Sequence, residues 1–470
     1  MSEFKDLVVA RRTKTFFTIL FSLYSIAIAI QTLLPSYLNF KGSEALGFKA
    51  ADGWCRPAYQ GIGAHCFGDF YYTLKFANMD NPWSGSPNPY PPVSLLFFKP
   101  FSFFVSHFPT SRLPLLVYLS ISLFAVLVPA IHLLLTRRLA PRHALLIGAG
   151  SLATAPVLMA LDRGNIQLFL LPFCYFFALS VLENKLGRAL IFGLILILFK
   201  PQMILLGAIF LIGRKWKSLF TWVIISASTF LLGFLIFPRN VAGNFRAYWH
   251  QATSYQNYGT PGALSPVNLS LSNTWSLIAE NPIFHSGQGT ASFLSATVTF
   301  LILVVILLNL YLVGNARSAI ENLFILFLLP ILIPTTTFSY YLCILLPLFI
   351  LISSDAISRT ESGRTFLIGK GTIDTSPLLM IFQNWKTTIL LSGMTFLLFV
   401  PWALPWSIFP KFQRETWSTI GINWFIGQFF LAGLLISLLF TGSKKLILIN
   451  NRKRLTSLKI LVATDGEIVQ

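Results

Sequence analysis

LPLLVYLSISLFAVLVPAIHLLL (residues 113–135) carries no Asp, Glu, Lys or Arg, and Arg137, Arg138 and Arg142 follow it at once. Each helical residue rises about 1.5 Å, so a run of this length spans the ~30 Å hydrocarbon core of a bilayer. Basic residues collect on the cytoplasmic side, so the run reads as a crossing that ends inside.

Similar runs lie on both sides of it. They cover 15–35, 144–160, 165–182, 188–200, 202–213, 218–237, 293–313, 319–334, 340–354, 387–404 and 418–440. With 113–135 they predict an all-α, polytopic transmembrane bundle of about twelve spans. The first run begins after Arg11, Arg12 and Lys14 and lacks a small-residue cleavage pattern, so it reads as a span. No inverted or tandem repeat stands out, which argues against common transporter folds.

Composition agrees. The chain is 55% hydrophobic and only 11% charged, against roughly 25% charged in soluble domains. Its net charge of +19 could point to nucleic acid. The basic residues instead sit in short clusters between apolar runs, as cytoplasmic loops do. The expected partner is the lipid bilayer, not nucleic acid. The expected site is the inner or plasma membrane, with both termini cytoplasmic.

The segment 91–108 is apolar but broken by Lys99 and Pro100. Counted as a span, it would put Arg137, Arg138 and Arg142 outside. Read as a re-entrant or interfacial segment, it restores the charge bias. Two long external loops then follow, 36–112 and 238–292. The segment 355–386 and the tail after Lys444 are cytoplasmic. Cys174 and Cys343 fall in apolar runs and read as inert core thiols. Cys55 and Cys66 share the first external loop, where an oxidising compartment would permit a disulfide.

On this topology the polar residues with chemical uses gather on the outer face. The first loop supplies Asp69, Tyr71, Tyr72 and Tyr90. Short external turns supply Asp162, Arg163, Asn165, Gln167, Lys200 and Gln202. The second long loop supplies Arg246, His250 and Asn268. Lys200 ends an unbroken apolar run and precedes a proline. It reads either as a snorkelling lysine or as a phosphate anchor at the lipid boundary. Arg163 reads in the same two ways, with Asp162 as its alternative partner. Partial burial of Asp69 beside the membrane-dipping segment would suit a general base. The plainer reading is a loop aspartate capping a helix over 70–78. His250 sits among Tyr248, Trp249 and Tyr255, as a sugar contact or as part of an interfacial belt. Asn268-Leu269-Ser270 also matches a glycosylation sequon.

The ordered elements Gly68-Asp69-Phe70-Tyr71, Tyr90-Pro91-Pro92 with Pro100, Arg163-Gly164-Asn165, Lys200-Pro201 and Asn268-Leu269-Ser270 resemble the motifs of family 87 glycosyltransferases. These are membrane enzymes of GT-C type that use polyprenyl-phosphate sugars, among them mannosyl- and arabinofuranosyltransferases of cell-envelope glycolipids. Pro334 to Tyr341 is similar to a late external motif of that family, with Phe and Tyr where Trp and His are usual. The resemblance covers about 65–350.

It implies a catalytic module over 1–350, followed by C-terminal transmembrane helices with a basic loop and tail over 351–470. It further implies transfer of a hexose or pentose, mannose-like above all, from a polyprenyl-monophosphate donor to a glycolipid or polysaccharide acceptor. Asp69 matches the base of an inverting displacement. Arg163 and Lys200 match the region that meets the donor phosphate. Tyr71, Tyr72, Tyr90, Asn165, Gln202, Arg246, His250 and Asn268 are candidate substrate contacts. No metal or other cofactor is expected, and no Asp-x-Asp pair or phosphate-binding glycine loop is visible. The rival readings are a flippase for a lipid-linked saccharide and a polysaccharide polymerase or ligase.

Overall fold

The computed structural model describes residues 2–38, 67–84, 88–107, 113–238, 240–254, 269–271, 288–334, 337–362, 385–399, 427–441 and 443. Cys55, Cys66 and Asn268 lie outside them, as do most of both long loops. The described residues are helical throughout, apart from turns and one bridge at Phe338.

Among them, four helices are long and apolar enough to cross a membrane: Leu113–Leu135, Trp216–Ile236, Thr297–Ala316 and Tyr340–Glu361. A fifth crossing follows if Pro141–Leu152 and Ala155–Leu161, bent by 60°, form one broken span. Helix length does not show twelve spans. Several apolar runs fold as pieces of 10–17 residues, such as Ile166–Leu182, Leu186–Phe199, Pro201–Ile212 and Ala319–Leu332. A run of apolar letters gives the length of greasy chain, not the length of straight helix.

The middle of the molecule is the Ala319–Leu332 helix, buried from Ile320 to Leu332 and opened by a capping box between Ser318 and Glu321. Leu346–Ser362 and Leu171–Leu182 pack around it. Cys174 and Cys343 lie buried here. Three outer helices present Leu116 and Phe124, Phe220 and Ile224, and Phe300 and Val305 outward. Rows of exposed large apolar side chains on long helices are what lipid contact requires. The Ser2–Leu38 helix packs against Leu346–Ser362 and Pro141–Leu152. One carboxylate clasps the three: Glu361 accepts from Lys14 at 3.0 Å and Arg142 at 3.0 Å, with His143 at 3.4 Å. At another edge, buried Arg317 donates to the Leu438 and Leu439 carbonyls and bonds Asn309. It thereby satisfies carbonyls at the C-terminus of the Gly427–Thr441 helix.

The segment read as membrane-dipping is a single helix, Pro92–His107, with Pro100 inside it. Its 16 residues reach about 24 Å, short of a full crossing. Ser94, Leu95 and Phe98 are buried, while Lys99, Phe103 and Phe104 face outward. The Ser94 hydroxyl donates to the Phe199 carbonyl at 3.0 Å, tying this helix to the end of Leu186–Phe199.

Three helical segments begin in the same unusual way. Asn165, Lys200 and Phe338 are each extended, and each is followed directly by a 3-10 stretch: Ile166–Leu170, Pro201–Ala208 and Ser339–Leu345. The first and third of these stretches pack against each other. Breaks of this kind free backbone and side chains from an otherwise apolar wall, and bilayers tolerate them only where protein covers them.

Candidate active site

Asp69 lies in the first turn of the Gly68–Ala77 helix. No side-chain hydrogen bond caps that helix, so the plain capping role does not describe it. The next residue, Phe70, anchors the helix. Its ring sits 4.8 Å from Tyr118 and about 6 Å from Phe98 and Phe101. This aromatic cluster joins the helix to Pro92–His107 and Leu113–Leu135. Backbone also helps, since the Thr73 hydroxyl donates to the Asp69 carbonyl at 2.6 Å.

The partners of the carboxylate come from one tight turn. The Ala155–Arg163 helix ends at Gly164, whose φ of +65° lies in the left-handed region. A Cβ there would meet the Phe70 Cβ at 2.7 Å, so both backbone angle and space call for glycine. The Tyr118 hydroxyl donates to the Gly164 carbonyl at 2.9 Å and locks the turn to the aromatic cluster. The residues on either side of Gly164 then both reach Asp69. Arg163 Nε lies 3.2 Å from Oδ2, and its Nη2 lies 3.5 Å from Oδ1. Asn165 Nδ2 donates to Oδ2 at 2.6 Å. The orientation of that amide is fixed from behind, because its Oδ1 accepts the Gln167 backbone N–H at 3.0 Å.

The carboxylate is therefore asymmetric. Oδ2 accepts two good hydrogen bonds. Among the described residues Oδ1 has only one long contact, at the limit of hydrogen bonding, and the side chain retains 19% exposure.

A second cationic centre is built on the next break. Lys200 is only 8% exposed. Its Nζ donates to the Tyr341 hydroxyl at 2.9 Å, and Gln202 Nε2 donates to the same oxygen at 3.2 Å. The ammonium lies 5.3 Å from the Tyr90 ring and 5.0 Å from the Tyr341 ring. Tyr90 is itself pinned: its N–H donates to Asn88 Oδ1, and its carbonyl accepts from Trp83 Nε1, both at 3.0 Å. Among the described residues no carboxylate lies within ion-pair distance of Lys200.

One short segment serves both centres. Arg163 stacks over Phe338 at 5.0 Å and Tyr340 at 5.2 Å. Tyr340 and Tyr341 have ring centroids 5.2 Å apart. The segment is stitched to the second long loop, where the Leu269 N–H donates to the Thr337 carbonyl at 2.6 Å.

Of the residues predicted from sequence, the structure thus gathers Asp69, Arg163 and Asn165 in one cluster, and Lys200, Gln202 and Tyr90 in another. Tyr71 and Tyr72 are 39% and 40% exposed on the outer face of their helix. Arg246 and His250 are exposed on Val241–Ser254, whose buried face carries Asn244, Tyr248 and Gln251. Asn268 is outside the described residues, and so is the Asp162 side chain. Phe338, Tyr340 and Tyr341 were read from sequence only as part of a late external segment, with no site role assigned to them. Their aromatic run beside a polar turn was the available signal. Among the described residues no group of three His, Cys, Asp or Glu could hold a metal ion.

The family model for glycosyltransferase family 87 matches residues 88–336, more than half of the chain. Arg163, Asn165, Lys200 and Gln202 fall inside the matched stretch; Asp69, Tyr340 and Tyr341 fall outside it. No curated protein and no solved structure gives a significant match.

Proposed function

Starting from the fact that the chain belongs to glycosyltransferase family 87, we propose that it transfers a hexose or pentose from a polyprenyl-monophosphate sugar to a glycolipid or glycan acceptor at the outer membrane face. Membership makes it a transferase that takes a sugar donor and an acceptor. Its apolar helices place it in a membrane as a multi-pass protein.

The observation that carries the reading is the sharing of Phe338–Tyr341 by two unlike centres. One is a carboxylate with an open oxygen. The other is a buried ammonium without a described acidic partner. A buried cation in that condition calls for an anion, and a lipid phosphate at the bilayer edge supplies one. Lys200 closes the apolar Leu186–Phe199 helix, a position that favours a lipid-linked donor over a free nucleotide sugar.

In this mechanism the sugar's anomeric carbon lies between the two centres. The acceptor hydroxyl oxygen attacks that carbon as its proton passes to Asp69 Oδ1. The bond from carbon to phosphate oxygen breaks, and the polyprenyl phosphate departs with its charge met by Lys200. A single displacement inverts the anomeric configuration. Arg163 and Asn165 hold Oδ2, so that only Oδ1 faces the acceptor. Of the two basic residues read from sequence as phosphate contacts, Lys200 has the stronger case, because Arg163 already serves Asp69. A positioned base contributes typically 10²–10⁴-fold, and a cation on the leaving group adds to it.

The test is Asp69→Asn in purified protein, given a polyprenyl-phosphate mannose or arabinofuranose and an endogenous lipid extract as acceptor. Transfer should fall by about 10²–10⁴-fold. Transfer near the wild-type rate would overturn the base assignment. A flippase would still move the donor across vesicles with Asn at position 69.

A further inference from the structure

The Tyr341 hydroxyl has a hydrogen-bond arrangement that a purely structural tyrosine rarely needs. Its oxygen accepts from Lys200 Nζ at 2.9 Å and from Gln202 Nε2 at 3.2 Å. A phenol oxygen can accept two such bonds and still donate its own proton. Both neighbours are obligate donors at those atoms, so neither can take that proton. With both acceptor positions occupied, the O–H must point away from Lys200 and Gln202. Lys200 Nζ has three N–H bonds, of which Tyr341 uses one.

Burial sharpens the point. Tyr341 is 7% exposed and Lys200 8%. Among the described residues no hydrogen bond takes up this O–H; in such surroundings an unmatched donor is costly, and two donors converging from adjacent atoms suit a single anionic oxygen. The ring is flanked by Tyr340 and its oxygen is held by Lys200 and Gln202, so the hydroxyl oxygen has little freedom to move elsewhere.

We infer that the Tyr341 hydroxyl is a second donor to the phosphate oxyanion that Lys200 neutralises, with Gln202 as the residue that positions it. The site therefore recognises the phosphodiester of the donor, and the phosphate monoester that it releases, through one ammonium N–H and one phenolic O–H. Tyr341 strengthens its bond as the leaving oxygen gains charge, so it favours departure of the phosphate as well as binding. This deepens the proposed reading and rests on it.

The experiment uses full-length protein in detergent or nanodiscs. Wild-type protein is assayed first with a polyprenyl-phosphate sugar; no transfer there refutes the donor reading itself. With transfer established, Tyr341→Phe is compared for donor KM, acceptor KM, kcat and inhibition by sugar-free polyprenyl monophosphate. Loss of one hydrogen bond to an anion should weaken donor use and polyprenyl-monophosphate inhibition each by about 10- to 100-fold, with acceptor KM unchanged. Gln202→Leu should give a smaller change of the same kind. In the Lys200→Met/Tyr341→Phe pair the losses should be less than additive, because both side chains serve one oxygen. Unchanged inhibition by polyprenyl monophosphate in Tyr341→Phe would overturn the inference. So would equal changes in donor and acceptor KM, the sign of a merely structural role.

Discussion

Asn165 donates its side-chain amide to Asp69 Oδ2 at 2.6 Å while its own carbonyl oxygen is held by the Gln167 backbone N–H. The amide can therefore present only its NH2 to the carboxylate. Asn165→Leu keeps the volume and removes the bond. Loss of a hydrogen bond to a charged group should lower kcat by about 10- to 100-fold. Asn165→Asp should lower it further, because a second carboxylate would face the first. Initial rates at saturating donor check both, and the order Leu above Asp is the diagnostic outcome.

Gly164→Ala should damage both the site and the fold. An alanine at φ +65° costs on the order of 1–2 kcal/mol, and the 2.7 Å approach of its Cβ to the Phe70 Cβ adds to the loss of thermal stability. Its Cβ would also push on Phe70, the neighbour of Asp69. Misplacement by about 1 Å can cost about 10²-fold in rate. The comparison is turnover against the thermal midpoint of the same preparation.

Trp222 is a structural counterpart. It is 1% exposed and fills notches left by two glycines: a Cβ at Gly193 or at Gly207 would lie 2.2 Å from its ring. Its indole N–H donates to the Ile204 carbonyl at 3.1 Å. Trp222→Ala should cost about 3–5 kcal/mol through the cavity it leaves. A fall in the thermal midpoint of the solubilised protein is the measurement.

Glu183 gives a pH-dependent prediction. Partial burial pushes its carboxyl up, but bonds to Lys185 at 2.6 Å and Arg138 at 3.4 Å outweigh this and hold it below its ordinary value of 4.5. A carboxyl with a lowered folded value stabilises at pH above the ordinary range and loses that contribution as pH falls through the folded value. The wild type should therefore exceed Glu183→Gln in thermal midpoint at pH 7. The gap should close below about pH 4.

Much of this was legible in the letters. Uncharged runs such as 113–135 and basic turns such as Arg137-Arg138 report the bilayer directly, since only lipid imposes both patterns. Asp69, Arg163, Asn165, Lys200 and Gln202 stood out because polar residues at the ends of apolar runs need a reason. What the letters withheld was pairing. Nothing near Arg163 in sequence indicates that its partner is Asp69, and nothing near Lys200 indicates Tyr341, 141 residues away. Helix length among the described residues does not show all twelve expected spans, for a related reason. Residues 165–182 read as one run, yet Asn165 caps a 3-10 turn and the α-helix proper starts only at Leu171. Hydrophobicity does not distinguish a 3-10 turn from an α-helix.

The 60° bend between Pro141–Leu152 and Ala155–Leu161 also makes the second piece a lever. Its fulcrum is at Ala153–Thr154, where the Thr154 hydroxyl grips the Ser151 carbonyl at 2.9 Å. From Ala155 to Arg163 the arm is about 12 Å long at 1.5 Å per residue. A change of about 5° at the fulcrum would swing the Arg163 end by about 1 Å, the scale at which reacting groups lose alignment. The bend at Thr154, a residue that touches none of the reacting groups, thus takes part in placing Arg163 beside Asp69.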